Sequence, residues 1–393
     1  MTPIVECRGD HREMGRAQGE SCREMLARMD RVLLEVMGVK SEGRLGGAVA
    51  RLAPRVAGAV GRAGRRAIQG HLRRVFPHQL ERLGGIADGA ALPPHLLFVA
   101  PAVELVLNRA AYTRPSPSWS PPAACTAVAV TGARSATGEA IIAKNFDYPP
   151  ASSALHLARV SRPRGGGRAA SLEVTKAPLA GCHEGINEHG LAVSYNYGHF
   201  RGRAEARVSI TFLVQEVLES CRTVDEALDL VRARPRAGGA LLMLADAGGE
   251  IASVEVAPDL LTVRRGAHLT HANHACTAEM AGRDVPADAV FPRWVRPAEL
   301  RGRRVQESSE RRHGRAEALL AACGAASAAD LARILADHGE AEGGGPSAGD
   351  DHTICRHGPY YSTTCAVILL PRQRTMRLLA GPPCEGQFAD LSL

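Results

Sequence analysis

The stretch Pro121-Pro122-Ala123-Ala124-Cys125-Thr126-Ala127-Val128-Ala129-Val130 decides how the rest of the chain is read. A proline-rich lead-in from Arg114 to Pro122 can build neither a helix nor a central strand, and it stops at a cysteine. Behind that cysteine a β-prone alternating run leads into the Gly132 to Gly138 turn and a second strand, Ala140 to Lys144. Cys125 therefore opens a hairpin. If the Ala124–Cys125 peptide bond breaks, this one residue carries an α-amine beside its own thiol. An α-amine titrates near about 7.7–8.0 and a thiol near about 8.5, so at neutral pH part of the amine is free to take the thiol proton. A buried, inert cysteine at a strand start is the competing reading.

Outward from the hairpin, residues 125–200 read as strands (Thr126–Val130, Ala140–Lys144, Leu155–Val160, Ala170–Thr175, Leu191–Tyr197) separated by turn residues. Successive hairpins favour antiparallel sheet. Helices are expected at Ile210–Cys221 and Thr223–Arg234, the second with Thr223 as cap and Glu226 in the capping-box position. Strands return at Ala240–Ala245, Ile251–Ala257, Leu261–Arg265 and His268–His271, then helices at Ser308–Ala322 and Ala328–His338, a glycine-rich loop at Gly343–Gly349, and strands at Thr363–Leu370 and Thr375–Ala380. Upstream, Pro3–Arg8 reads as a strand and Arg12–Val36, Leu45–Ala63, Arg65–Gly84 and Pro93–Leu107 as helices. Two batches of strands with helices between them define an α+β class.

Composition narrows the function. The 393 residues are 45% hydrophobic, enough for a packed core, and no run of about 18 apolar residues marks a membrane span. Charges interrupt the first twenty positions, so no signal peptide is readable and a cytoplasmic location is expected. The formal charge of +7 comes from scattered arginines, with Lys40, Lys144 and Lys176 the only lysines, and aromatic content is 4%. Neither pattern suits nucleic-acid binding. The 10 cysteines show no framework spacing and no CxxC pair, which reads as reduced thiols.

Six words then appear in order: Cys125-Thr126; Lys144-Asn145-Phe146-Asp147-Tyr148; Gly185-Ile186-Asn187-Glu188-His189-Gly190-Leu191; Thr270-His271-Ala272-Asn273-His274; Ser308-Ser309-Glu310-Arg311-Arg312; and Ile354-Cys355-Arg356-His357. Together they resemble the cysteine branch of the N-terminal-nucleophile (Ntn) hydrolases, which holds the isopenicillin-N type penicillin acyltransferases and the choloylglycine and penicillin V hydrolases. The run Gly9 to Gly19 resembles the start of the acyltransferase propeptide, so the likeness covers nearly the whole chain. It implies a four-layer αββα sandwich, with residues 1–124 a mostly helical propeptide that stays bound as a small subunit and residues 125–393 the catalytic subunit. The implied activity is a self-processing amidohydrolase or acyltransferase working through a Cys125 acyl-enzyme. Its partners would be an amide or acyl-thioester donor, water or an amine as acceptor, and the cleaved N-terminal fragment, with no cofactor and no metal; a homo-oligomer stays open.

The resemblance also assigns roles. Asp147, at the far end of the hairpin, would hold the α-ammonium or orient the amine; a turn cap before Pro149 is the plainer reading. Asn273 matches the asparagine that donates its amide to the oxyanion of a tetrahedral intermediate. Asn196 lies near the second donor position, with Tyr195 its competitor. Arg312 matches the arginine of the Ser-Ser-x-x-Arg word, and Arg311 replaces it if the register slips by one. Two positions depart from the pattern. Lys144 stands where bile-salt hydrolases carry arginine, which weakens bidentate carboxylate recognition. Ala124 stands where penicillin acyltransferase has glycine, and alanine tolerates strained backbone less well, so cleavage would be slow or use another loop conformation. Against all this stand two other classes. One is a zinc hydrolase drawing its donors from His268, His271 and His274 together with His352, Cys355 and His357, although neither HExxH nor paired CxxC occurs and strand alternation would part His268 from His271. The other is a non-catalytic binding protein on the same fold.

Overall fold

The computed structural model describes residues 2–36, 43–105, 124–293, 295, 298–339, 347–358 and 360–393. The proline-rich connector up to residue 123 and most of the glycine-rich loop at 343–349 fall outside these. The strands are β1 (Ile4–Gly9), β2 (Ala124–Val130), β3 (Ile141–Tyr148), β4 (His156–Pro163), β5 (Ser171–Lys176), β6 (Glu184–Asn187) and β7 (Ala192–Gly198). After them come β8 (Gly239–Ala245), β9 (Ile251–Val256), β10 (Leu261–Arg264), β11 (His268–His271), β12 (Ser362–Leu370), β13 (Thr375–Ala380) and β14 (Ala389–Ser392).

They form two sheets. One has eight strands in the order β1-β4-β5-β6-β7-β8-β9-β10, the other six in the order β11-β2-β3-β12-β13-β14. Pairing is antiparallel except where β1 lies parallel to β4 at the edge. The sheets stack because their central strands bury both faces, with side chains alternating across them. Along β2, Ala127 and Ala129 enter the core between the sheets with Ile142, Leu172 and Met243. Val128 and Val130 enter a second core beneath the helices Glu307–Ala322 and Ala328–Leu335, with Leu320 and Leu331. The outer face of the eight-stranded sheet is covered by Ile210–Ser220, Val224–Ala233 and the N-terminal helices, through Leu213, Val217, Leu72 and Ile86. The result is helix, sheet, sheet, helix.

Several expected boundaries move. The helices read as Leu45–Ala63 and Arg65–Gly84 are Gly43–Val75 and Pro77–Ala90. Gly64 is no break: a Cβ there would lie 2.8 Å from the Phe98 carbonyl oxygen, so the glycine lets the helix run against the Pro94–Phe98 turn. The break comes at Phe76, because Pro77 fits only the first turn of a new helix. The helix read as Arg12–Val36 is three, His11–Ser21, Arg23–Ala27 and Met29–Val36. Thr223 caps Val224–Ala233, accepting from the Glu226 N–H, while the Glu226 carboxylate turns instead to the Arg222 N–H. β6 and β14, only four residues each, were not anticipated.

The N-terminal segment is tied into the body by charge as well as by β1. Glu219 is fully buried and accepts from His11 Nε2, Arg168 Nη1 and Gln215 Nε2, each at 3.0 Å, with Arg82 Nη1 at 3.7 Å and His78 Nε2 at 3.8 Å. Burial raises its pKa, but His11, Arg82 and His78 outweigh that and hold it at about 2, below the ordinary 4.5. A carboxylate depressed on folding contributes stability that is complete above the unfolded value and lost as pH falls through the folded one. The contribution is on the order of 3 kcal/mol. Acidification between about pH 5 and 2 is therefore expected to loosen the N-terminal helices, read as protease sensitivity. Glu219→Gln should flatten that dependence; an unchanged profile would remove Glu219 from the account.

Candidate active site

β2 runs between β3 and β11, which places Cys125 opposite Phe146 and Ala124 opposite Asp147. Asp147 thus lies within β3, which continues to Tyr148, and not beyond its end as the sequence suggested. On the other edge the pairing with β11 ends at His271 opposite Ala127. Carrying that register two residues on brings Asn273 opposite Cys125. There a side chain replaces the ladder carbonyl: Asn273 Oδ1 accepts from the Cys125 nitrogen at 2.9 Å.

The two ends of the Asn273 amide are told apart by their partners. Oδ1 also accepts from Arg312 Nη2 at 3.0 Å, and Nδ2 donates to the Tyr197 carbonyl at 2.8 Å. The Asn273 N–H donates to Ser309 Oγ at 2.7 Å, which fixes the residue at both backbone and side chain. The amide nitrogen, expected to face an oxyanion, here faces Tyr197, and the oxygen faces Cys125.

Arg312 crosses this array fully buried. It donates to the Cys125 carbonyl at 2.5 Å, to Thr126 Oγ1 at 2.8 Å and to Ser308 Oγ at 3.4 Å, and lies 3.9 Å from Asp147 Oδ2. Arg311, its alternative in the sequence, is exposed and pairs with Glu307 away from this array. Arg315, one turn on, pairs with Asp337 at the surface. Asp147 accepts from Thr363 Oγ1 at 2.8 Å through Oδ1, while its buried Oδ2 accepts no hydrogen bond among the described residues.

These contacts set the charges. Burial lowers the Arg312 guanidinium to about 10, still protonated at neutral pH. Burial raises the Asp147 carboxyl, and Arg356, Arg312 and Thr363 offset part of the rise. Burial pushes the Cys125 thiol up to about 11; Lys144 and the Asp147 N–H pull down, Asp147 and Glu184 push up. The thiol is therefore protonated at neutral pH.

By strand alternation Thr126 faces the helices and Cys125 faces the inter-sheet space, alongside Lys144 and Phe146 of β3. Lys144 is fully buried, paired with Glu184 of β6 and donating to the Tyr195 carbonyl at 2.6 Å, with its ammonium 4.2 Å from the Phe146 ring centre. It is spent on an internal ion pair. Asn196 and Tyr195, the two rivals for one role, point to opposite faces of β7. Asn196 reaches toward β11, donating to the Ala272 carbonyl at 2.9 Å, with its buried Oδ1 unpartnered among the described residues. Tyr195 packs on the helical side, stacked on His183.

Beside Ala124 a cleft opens, walled by Asn273, Arg303, Arg312, Arg356 and Tyr361. Two of its guanidiniums are already matched, Arg303 with Glu307 and Arg356 with Asp351. The first histidine triplet of the zinc reading, His268, His271 and His274, does not converge. His268 meets Glu317, His271 meets Ser253 on the other face of β11, and His274 meets Ser309. Ser309, Arg356 and Thr126 lie inside words already quoted from the sequence, so proximity to Arg312, Cys355 and Cys125 could have flagged them. Glu184 and Thr363 carried no such signal.

Layering of this kind, with a cysteine at the head of a central strand and an asparagine, an arginine and an aspartate around it, is that of an N-terminal-nucleophile hydrolase. The chain belongs to the acyl-coenzyme A:6-aminopenicillanic acid acyl-transferase family, which matches residues 134–380. That match begins just downstream of Cys125. Membership makes the protein an amide hydrolase or acyltransferase of the Ntn type. No curated protein matches the sequence significantly. Among solved structures, a mutant of the conjugated bile acid hydrolase from Clostridium perfringens is 12% identical, with 68% of this chain and 92% of that one covered and a TM-score of 0.43. An N-acylethanolamine-hydrolyzing acid amidase ortholog from Caenorhabditis elegans is 15% identical, covering 63% and 93% with a TM-score of 0.39. Penicillin V acylase from Agrobacterium tumefaciens is 14% identical, covering 65% and 82% with a TM-score of 0.38. No helix among the described residues is long and apolar enough to cross a membrane.

Proposed function

We propose that the chain cuts itself between Ala124 and Cys125 and then acts as a cysteine amidohydrolase or acyltransferase through a Cys125 thioester. One observation carries this reading. The polar array is built on the backbone of Cys125: Asn273 takes its nitrogen and Arg312 its carbonyl. A buried peptide N–H needs an acceptor in any case, but a strand ordinarily supplies a ladder carbonyl. A side-chain amide in its place is an acceptor that can keep orienting the nitrogen once it is a free amine serving as base.

In the first reaction the Cys125 thiol adds to the Ala124 carbonyl carbon. The C–N bond then breaks, the nitrogen leaves carrying the proton lost by sulfur, and a thioester joins Ala124 to Sγ. Water opens it, giving an Ala124 carboxylate and a free amine on Cys125. We assign the passage of that proton to Asp147, paired with Ala124 across the ladder and with one carboxylate oxygen accepting no hydrogen bond among the described residues. In the second reaction the amine, held by Asn273 Oδ1, takes the thiol proton as sulfur attacks an amide or acyl thioester, and returns it to the leaving group. Asn196 and the remaining Asn273 amide hydrogen are the donors assigned to the oxyanion. Residues 1–124 stay bound through β1 and the Glu219 cluster as the small subunit. The test is the intact mass of freshly purified, denatured protein. Two fragments meeting at Ala124 and Cys125, with turnover of simple amides or acyl thioesters, are expected; one unbroken chain after long incubation would sink the reading.

A further inference from the structure

Four side chains from three separate stretches aim at one point away from the Cys125 array. His338 follows the helix Ala328–Leu335, Cys355 and His357 lie on the loop before β12, and Cys384 lies between β13 and β14. His338 Nε2 is 3.1 Å from His357 Nε2, Cys355 Sγ is 3.4 Å from His357 Nε2 and 3.6 Å from Cys384 Sγ, and Cys384 Sγ is 3.2 Å from His357 Nε2. All four donor atoms lie within 4.8 Å of one another. We infer that His338, Cys355, His357 and Cys384 form a structural Cys2His2 zinc site.

The distances, 3.1, 3.2, 3.4 and 3.6 Å, are those of a slightly compressed tetrahedral set. Zinc holds sulfur at about 2.3 Å and nitrogen at about 2.0–2.1 Å, which sets ligand-to-ligand edges of roughly 3.3–3.8 Å. The second observation is the state of the imidazoles. His338 Nδ1 lies 3.1 Å from the Ser347 carbonyl oxygen, which can only accept, and His357 Nδ1 lies 3.5 Å from the Glu385 carboxylate. The carbonyl sets the His338 proton on Nδ1 and turns its Nε2 lone pair inward, and the carboxylate near His357 Nδ1 favours the same tautomer there, which sets the two Nε2 lone pairs facing each other. Such a pair repels unless a cation stands between them, and a carbonyl or carboxylate behind each ring is the usual support of a histidine ligand. Gly349 completes the fit: its φ is +87°, and a Cβ there would come 2.7 Å from His357 Cδ2 and 3.2 Å from His338 Cδ2.

Four protein ligands leave no open position for water, so the ion is not a hydrolytic centre. Its work is to pin the loop 347–358 to the end of β13. That loop presents Arg356, whose backbone brackets Thr363, the residue bonded to Asp147. Binding converts two thiols to thiolates and releases their protons to solvent.

Elemental analysis and native mass of the full chain, purified without chelators, are expected to give one zinc per chain. Cys384→Ala and His338→Ala should each reduce it at least tenfold, and Cys276→Ala should leave it unchanged. Wild-type protein refilled with cobalt(II) should give the visible bands and thiolate charge transfer of a tetrahedral S2N2 site. Wild-type protein that takes up neither ion when supplied, or that carries a Cys355–Cys384 disulfide and no metal, overturns the assignment, as does zinc retained in full by Cys384→Ala. These readouts use no catalysis, so their outcome is independent of the reading of Cys125, and the wild-type measurements decide even where a variant fails to fold.

Discussion

Cys125→Ala is expected to remain one chain and to lose acyl transfer by about 10⁴-fold or more, the scale on which removal of a catalytic nucleophile acts. Both losses have one origin. Without the thiol no attack on Ala124 occurs, so the amine that would serve as base is never released. The fold should survive, since alanine fills the same strand position and the array on the backbone of residue 125 needs no sulfur. Electrophoresis and intact mass report the first loss, turnover of an amide or acyl thioester the second. Cys125→Ser separates them further, because a hydroxyl can still add to the carbonyl but is a poorer nucleophile; slow cleavage with little turnover is expected. A Cys125→Ala chain that still splits at residue 124 would transfer the cleavage to another group and end the proposal.

The second large effect belongs to Arg312. Substituting methionine removes the donors to the Cys125 carbonyl, Thr126 Oγ1 and Asn273 Oδ1 and withdraws the nearest cation, at 3.9 Å, from Asp147. Breaking a buried pair from one side costs roughly 3–5 kcal/mol, because the partner stays behind uncompensated. The Asp147 carboxyl, already raised by burial, would rise further. Arg312→Met should therefore lower the urea midpoint strongly and slow turnover by about 10²–10³-fold, the range seen when an aligned polar group is lost from a reacting centre. Adding Asp147→Asn to Arg312→Met is expected to recover stability without recovering activity, since the amide no longer needs a cation but cannot pass a proton. A single variant within about 1 kcal/mol of wild type would mean that Arg312 contributes no more than an ordinary surface charge and would end this account. Arg312→Lys, which keeps charge and loses the fork, should recover only part of either loss.

Local pattern carried a good deal of this. The run from Cys125 to Val130 was readable as the first strand of a hairpin, because a proline-rich stretch cannot pair and an alternating run must. Arg312 could be preferred over Arg311 from its motif. Boundaries were less legible: Asp147 reads as post-strand because Pro149 follows, yet β12 pairs with residue 147 and draws the strand to Tyr148. Pairing across a sheet is a non-local gain that a local pattern does not contain.

The zinc ligands make the same point from the other direction. Cys355 and His357, two apart, were noticed together with His352, which is not among the four converging donors. His338 and Cys384 were not, since nothing in their own neighbourhoods marks them. The sequence by itself determined the class: an α+β chain with a cysteine poised at a strand start and an ordered set of words around it. The tertiary structure decided what each polar group does. Asn273 turns its oxygen to Cys125 because the β11 register places it across β2, Lys144 is neutralised by Glu184 because the two sheets stack, and Tyr195 and Asn196 part because a strand sends neighbours to opposite faces. Spacing along a chain limits which side chains can meet, but register and stacking select those that do.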